Sequence, residues 1–213
     1  MAGQTTNYLF DYPTSTDYVK DGATAIQTLA TDVDTTLFTA LGGAYPGLTR
    51  IKTQTIGTTV ASVTITSAFN ATFDSYKIVL SNVTMSSTAA STSIYLRMHD
   101  GTNPAITNYN YGIPRVDLAA GTVSSFVSAL GSTGILIGTG SGDKFSTTCD
   151  VLNPFIASHT IFNNLNVSQV STGYSGAGAG MHQTSTSYSV FDIRPSTGTL
   201  TGGTIAVYGY GKS

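Results

Sequence analysis

Between Tyr12 and Gly43, apolar residues fall at Val19, Ala23, Ile26, Ala30, Val33, Leu37 and Ala40, in alternating steps of four and three. That spacing draws a narrow stripe along one side of a helix, about as wide as a coiled-coil seam. A helix is expected over 14–43. Pro13 precedes it, Thr14 and Asp17 stand at capping-box spacing, and Gly42-Gly43 supplies a left-handed stop with Pro46 beyond. Asp17 and Asp21 lie where the helix dipole favours negative charge. The segment is rich in Thr and has poor intrinsic propensity, so it should hold only if the stripe is covered. Either a copy of the helix in another chain covers it, through Val19, Ile26, Ala30, Val33 and Leu37, or the protein's own β-domain does. Leu29 and Leu41 widen the stripe, which suits a bundle of more than two helices.

After Gly43 the period changes to two. Residues 44–58 read as a connector, a Pro46-Gly47 turn followed by the alternating LTRIKTQTI. Strands are then expected in TVASVTIT, YKIVLSNVTM, TSIYLRM, VSSFVSAL, GILIG, KFSTTCDVL, HTIFNNLNVSQV, YSVFDIRP and GTIAVYGYG. Residues 99–114 and 171–187 read as long loops, punctuated by Asp-Gly, Asn-Pro and Gly/Ser runs. About eight to ten strands with frequent turn signals are the pattern of an antiparallel β-sandwich or jelly roll. The expected organisation is an N-terminal arm (1–13), an oligomerisation helix (14–43), a connector (44–58) and a β-sandwich domain (59–213).

Composition sharpens this picture. Charged residues make up 9% of the 213-residue chain and the net charge is −2. Hydrophobic residues reach 40%, so the chain is polar without being charged and is expected to fold. Such sparing charge fits a surface covered by neighbours or facing neutral ligands. No basic run supports a nucleic-acid partner. No signal peptide is visible at the N-terminus, and no apolar run reaches membrane-spanning length. Cys149 is the single cysteine and reads as a buried structural thiol.

Little in the chain points to catalysis. His99, His159 and His182 are far apart and lack metal-ligand spacing. Asp100-Gly101-Thr102-Asn103 is better explained as an Asx turn than as part of a calcium loop. The run GYSGAGAGM lacks the Lys-Ser/Thr ending of a phosphate loop. No catalytic residue, cofactor or metal is expected. The tyrosines carry more interest. Tyr109, Asn110, Tyr111 and Tyr174 fall in the two long loops, where flat rings beside Asn can stack on sugars or adapt to a protein. The alternative is that these rings pack back onto the sandwich rim. The aromatic knot Tyr8, Leu9, Phe10 and Tyr12 forms an arm that can dock on a partner or staple the helix.

The phrase YPTSTDYVKDGATAIQTLATDVDTTL resembles the N-terminal helix of tail-fibre and minor tail proteins of tailed bacteriophages, and FDIRPSTGTLTGGTIAVYGYGKS resembles the strand that closes their distal domain. Together they cover about a quarter of the chain. The resemblance implies a homotrimeric fibre in the virion tail. Its N-terminal part would attach to the tail, baseplate or an adaptor protein. Its β-domain would contact a host cell-surface glycan or protein, with no enzymatic step. The chain departs from long fibres in having no repetitive shaft. A structural virion part without receptor binding, such as a baseplate or capsid decoration protein, is the alternative.

Overall fold

The computed structural model describes residues 3–4, 10–12, 18, 21–40, 47–88, 92–140, 144–168 and 173–211. The protein is mainly β, with antiparallel sheets and one helix among the described residues. It divides into two units, Met1–Gly47 with Gly211–Ser213, and Leu48–Tyr210.

In the first unit, β1 (Gly3–Gln4) pairs antiparallel with β2 (Asp11–Tyr12), and the helix α1 (Gly22–Ala40) lies against β2. The helix begins later than its sequence pattern suggests. Tyr18 is not helical, and its carbonyl accepts the Asp21 amide in a single tight turn. Asp21 then stands immediately before the helix, a position that favours Asp. The Thr14–Asp17 box, Val19 and the Gly42-Gly43 stop lie outside the described residues. Thr28 and Thr31 donate back to the carbonyls of Thr24 and Gln27, the local bonding that weakens Thr-rich helices. The half-shielded positions are Gly22, Ala25, Thr28, Leu29, Asp32, Val33 and Thr36, whereas Ile26, Ala30 and Leu37 are exposed. Among the stripe residues whose burial is described, only Val33 turns toward shelter.

The second unit is sandwich-like. Its large sheet has eight strands in the order β3 (Leu48–Thr55), β14 (Leu200–Tyr210), β5 (Ser75–Met85), β10 (Phe145–Leu152), β11 (Thr160–Ser168), β12 (Tyr174–His182), β7 (Tyr109–Asp117) and β8 (Val123–Ser132). Its small sheet has four, β4 (Val63–Ile65), β13 (Val190–Pro195), β6 (Thr92–His99) and β9 (Ile135–Gly140). Every pairing is antiparallel, and β9 lies over β10, β11, β12 and β7. The stretch read as a connector is therefore a sheet strand: β3 runs beside the last strand, Leu48 opposite Tyr210. Of the two stretches read as long loops, 100–108 is loop and β7 begins at Tyr109, whereas about half of 171–187 is strand β12.

Alternation explains the core. Tyr76, Ile78 and Leu80 of β5 point inward. At Asn82, held at φ 52°, a bulge shifts the phase so that Val83 and Met85 again point in. The Tyr76 hydroxyl donates to the Asn70 carbonyl at 2.7 Å and accepts the Asn70 amide at 2.8 Å, closing the turn-rich SAFNATFDS. Phe69 meets Tyr76 edge-on at 4.8 Å and stacks on Phe191 at 5.5 Å, joining the two sheets. Phe73 lies flat over Gly209, where any side chain would collide with its ring.

The interior is not uniformly apolar. On β6 and β13, Arg97 and Asp192 are direct cross-strand partners, both buried. Arg97 Nε donates to Asp192 Oδ1 at 2.8 Å and Nη2 to Oδ2, a two-pronged pair. Tyr109 donates no loop surface: its ring is buried and stacked on His182 at 4.2 Å, and its hydroxyl accepts the Met98 amide at 2.8 Å. His182 Nε2 lies 2.9 Å from the Tyr188 hydroxyl. Burial pushes the His182 imidazole below its ordinary value.

Two expectations follow for stability. Arg97→Met leaves a buried carboxylate unpaired and should cost ~3–5 kcal/mol, whereas Arg97→Met with Asp192→Leu should recover most of it; urea unfolding of the two variants decides. A lowered folded value means the unfolded chain binds the proton more readily, so His182 favours folding above pH ~6.5 and that contribution fades as pH falls through the folded value. The melting temperature should fall between pH 7.5 and 5, less steeply in His182→Gln.

Candidate functional site

The pairing of β12, β7 and β8 builds one polar-aromatic cluster on the surface. Gly176 of β12 and Ser124 of β8 both stand opposite Arg115 of β7, while Tyr174 stands opposite Asp117. Diagonal neighbours on one face lie within reach of long side chains, and that relation brings Tyr174 and Phe126 to either side of Arg115. The guanidinium carbon lies 4.3 Å from the centre of each ring. This is a two-sided cation–π stack, and each half-exposed contact is worth on the order of 1 kcal/mol.

Hydrogen bonds hold the stack in place. Arg115 Nε donates to Ser124 Oγ at 2.9 Å. The Tyr174 amide donates to Ser168 Oγ at 2.9 Å, fixing the start of β12. Gly176 is required where it sits, because a Cβ there would press on the Pro114 carbonyl at 3.1 Å and the Arg115 stem at 3.4 Å. Arg115 forms no ion pair among the described residues. The nearby Asp117 carboxylate accepts the amides of Ala119 and Ala120 instead. Arg115 Nη1 is buried without a hydrogen-bond partner. The cluster thus offers two flat rings and an uncommitted positive charge, a combination that suits a sugar ring carrying hydroxyl or acidic groups.

The residues expected from the sequence are only partly brought together. Tyr174 belongs to this cluster. Tyr109 lies at the other end of the same ladder, about 25 Å away at ~3.3 Å per residue. It is core and cannot face a receptor, because the alternation of β7 turns it inward beneath β6. Asn110 is half-buried on the opposite face of β7 beside Met181. Tyr111 is half-buried near Tyr95 and Ser132, and burial first, then the neighbouring Tyr95, pushes its hydroxyl up to about 12. Arg115 and Phe126 were not singled out by sequence. Each lies in a separate strand, and only the register reveals them as neighbours. Of the expected docking residues, Phe10 is half-buried and Tyr12 exposed, while Tyr8 and Leu9 lie outside the described residues.

Cys149 is fully buried, and burial pushes its thiol up. Among the described residues no group of three or more His, Cys, Asp or Glu could hold a metal ion. No described helix is long and apolar enough to cross a membrane. The chain matches no family model, no curated protein and no solved structure.

Proposed function

We propose that the chain is a bacteriophage tail fibre, a homotrimeric virion attachment protein that contacts the host cell surface. One observation carries this reading beyond the sequence resemblance. Most of the described stripe residues are left uncovered within their own unit: Ile26 is 65% exposed and Leu37 55%. A Thr-rich helix of 19 residues is marginal alone, and association of copies through Ile26, Ala30, Val33 and Leu37 would shield what the single chain leaves in water. The N-terminal arm then docks on the tail, baseplate or an adaptor. The stacked Tyr174, Arg115 and Phe126 take the receptor-facing role first sought in the loops. Three copies would present three such clusters, so that avidity offsets weak single-site affinity.

A structural virion part without receptor binding remains the second reading, favoured by the scarcity of charge, 9% of residues. The two readings separate on host cells. Tyr174→Ala or Arg115→Gln should lower cell binding about tenfold or more, the usual cost of removing an aromatic or Arg anchor; a protein that binds no host cells at all belongs to the structural class. In sedimentation, the full chain should run as a trimer, and Ile26→Asp with Leu37→Asp should weaken that assembly at least tenfold in concentration. A native chain that sediments as a monomer at micromolar concentration overturns the fibre reading.

A further inference from the structure

Strand β11 is built the wrong way round for an isolated molecule. Its inward positions are Thr160, Phe162, Asn164, Asn166 and Ser168, and its outward ones are Ile161, Asn163, Leu165 and Val167. The apolar outward side continues across the sheet. Val167 lines up with Ser175 of β12, Val116 of β7 and Val123 of β8; Asn163 lines up with Ala179, Gly112 and Val127. Val127, Val123 and Leu165 are 76, 74 and 60% exposed. Three shallow hollows open on this same face. The largest, about 510 Å³, is walled by Gly112, Val127, Ala129, Ile161, Ala179 and Met181. Two others, about 270 and 210 Å³, adjoin Leu165 on either side.

We propose that this outer face of the large sheet is the surface through which copies of this chain pack on one another. The choice of occupant rests on the reading of the chain as a self-assembling virion protein and on three further features. The first is charge. Close to a symmetry axis a residue meets its own copy, so a charge there would face a like charge. The outward positions of β11, β12, β7 and β8 carry no ionisable side chain among the described residues. The charges that the face does carry, Lys77 of β5 and Asp150 of β10, are already paired with each other at 2.9 Å, with the Tyr210 hydroxyl donating to Asp150 at 2.6 Å.

The second feature is size. Six neighbouring strands from β5 to β8, at ~4.8 Å spacing and about eight residues long, give a projected area on the order of 600 Å². That approaches the ~800 Å² each partner contributes to a standard interface, and is comparable to the largest patches that single soluble proteins leave open, which are often functional. The third is shape. Projecting Val123, Val127 and Leu165 share the face with hollows that can receive side chains of the same size, so the surface complements itself.

The test uses the full chain. Val127→Asp with Leu165→Asp should weaken assembly at least tenfold in sedimentation while near-ultraviolet dichroism stays native, and combining it with Ile26→Asp and Leu37→Asp should give monomer. As a second measurement, Val127→Cys or Leu165→Cys introduces one reactive thiol beside the buried Cys149, and a short bis-maleimide should join copies covalently. If the face variants assemble as the native chain does and no crosslink forms, while the helix variant dissociates, the proposal fails and the fibre reading stands. If the face variants keep their assembly but lose binding to host cells or to lipid vesicles, the face belongs to a receptor or a membrane and the proposal is equally overturned. A native chain that is monomeric at every concentration sinks both.

Discussion

A strand cannot choose the side of each residue separately, and this constraint organises the large sheet. Once Phe162 is committed to the interior beneath β9, Thr160, Asn164 and Asn166 must follow it inward, and Ile161, Leu165 and Val167 must face out. Slipping β11 by one residue would exchange the two sets. Burying Ile, Leu and Val is worth ~1.5–3 kcal/mol for each side chain, more in sum than one Phe. Judged on its own surface, the molecule therefore holds the less favourable face inside. Local bonding limits the loss only in part, since Thr160 Oγ1 and Asn164 Nδ2 are buried without a hydrogen-bond partner. Asn166 Nδ2 donates to the Gly176 carbonyl at 3.2 Å, and Thr147 Oγ1 lies 3.0 Å from the carbonyls of Ile137 and Leu165.

The same polar interior makes the register hard to mistake. Arg97 and Asp192 can pair only when β6 and β13 are aligned as observed. The stack of Tyr109 on His182, with Tyr188 bonded beyond it, requires β12 and β7 to meet at one end of their ladder. Apolar pairs tolerate slippage because any methyl can replace another. Directional pairs do not, and a chain with so many similar Thr/Ser-rich strands has more wrong alignments available than most. The buried polar groups of this sandwich are best understood as alignment marks, a role compatible with their modest net stabilisation.

Much of this was legible in the amino-acid order, and the failures have one cause. Strands such as YKIVLSNVTM and KFSTTCDVL announce themselves through alternating apolar residues, and the mainly β, antiparallel character followed from them. Strands β7 and β12 do not, because Asn, Gly and Pro carry the local statistics of loops. In the fold those small residues answer to neighbours distant in sequence. A Cβ at Gly178 would come within 2.4 Å of Ile113, and one at Gly180 within 2.4 Å of the Asn110 carbonyl. No local pattern can report a collision with another strand. The same limit hid Arg115 and Phe126, and misplaced Tyr109, whose fate depends on a parity the loop reading never assigned. For the helix, its existence was legible while its start was not, since Tyr18 and Asp21 form a tight turn where capping residues suggested a continuous helix.

The helix and the large sheet share one property that neither shows by sequence alone: each presents uncharged apolar side chains that its own unit does not cover. A surface meant to capture varied external partners usually carries charge at its rim to steer and to discriminate. Here Arg115, which forms no ion pair among the described residues, sits on the other face of β7, between Tyr174 and Phe126. Alternation along β7 thus separates two kinds of contact: Ile113 and Arg115 on one side, Gly112, Pro114 and Val116 on the other. That separation allows one side to be closed by neighbouring copies without hiding the cluster on the other, so assembly and recognition need not compete for the same strand.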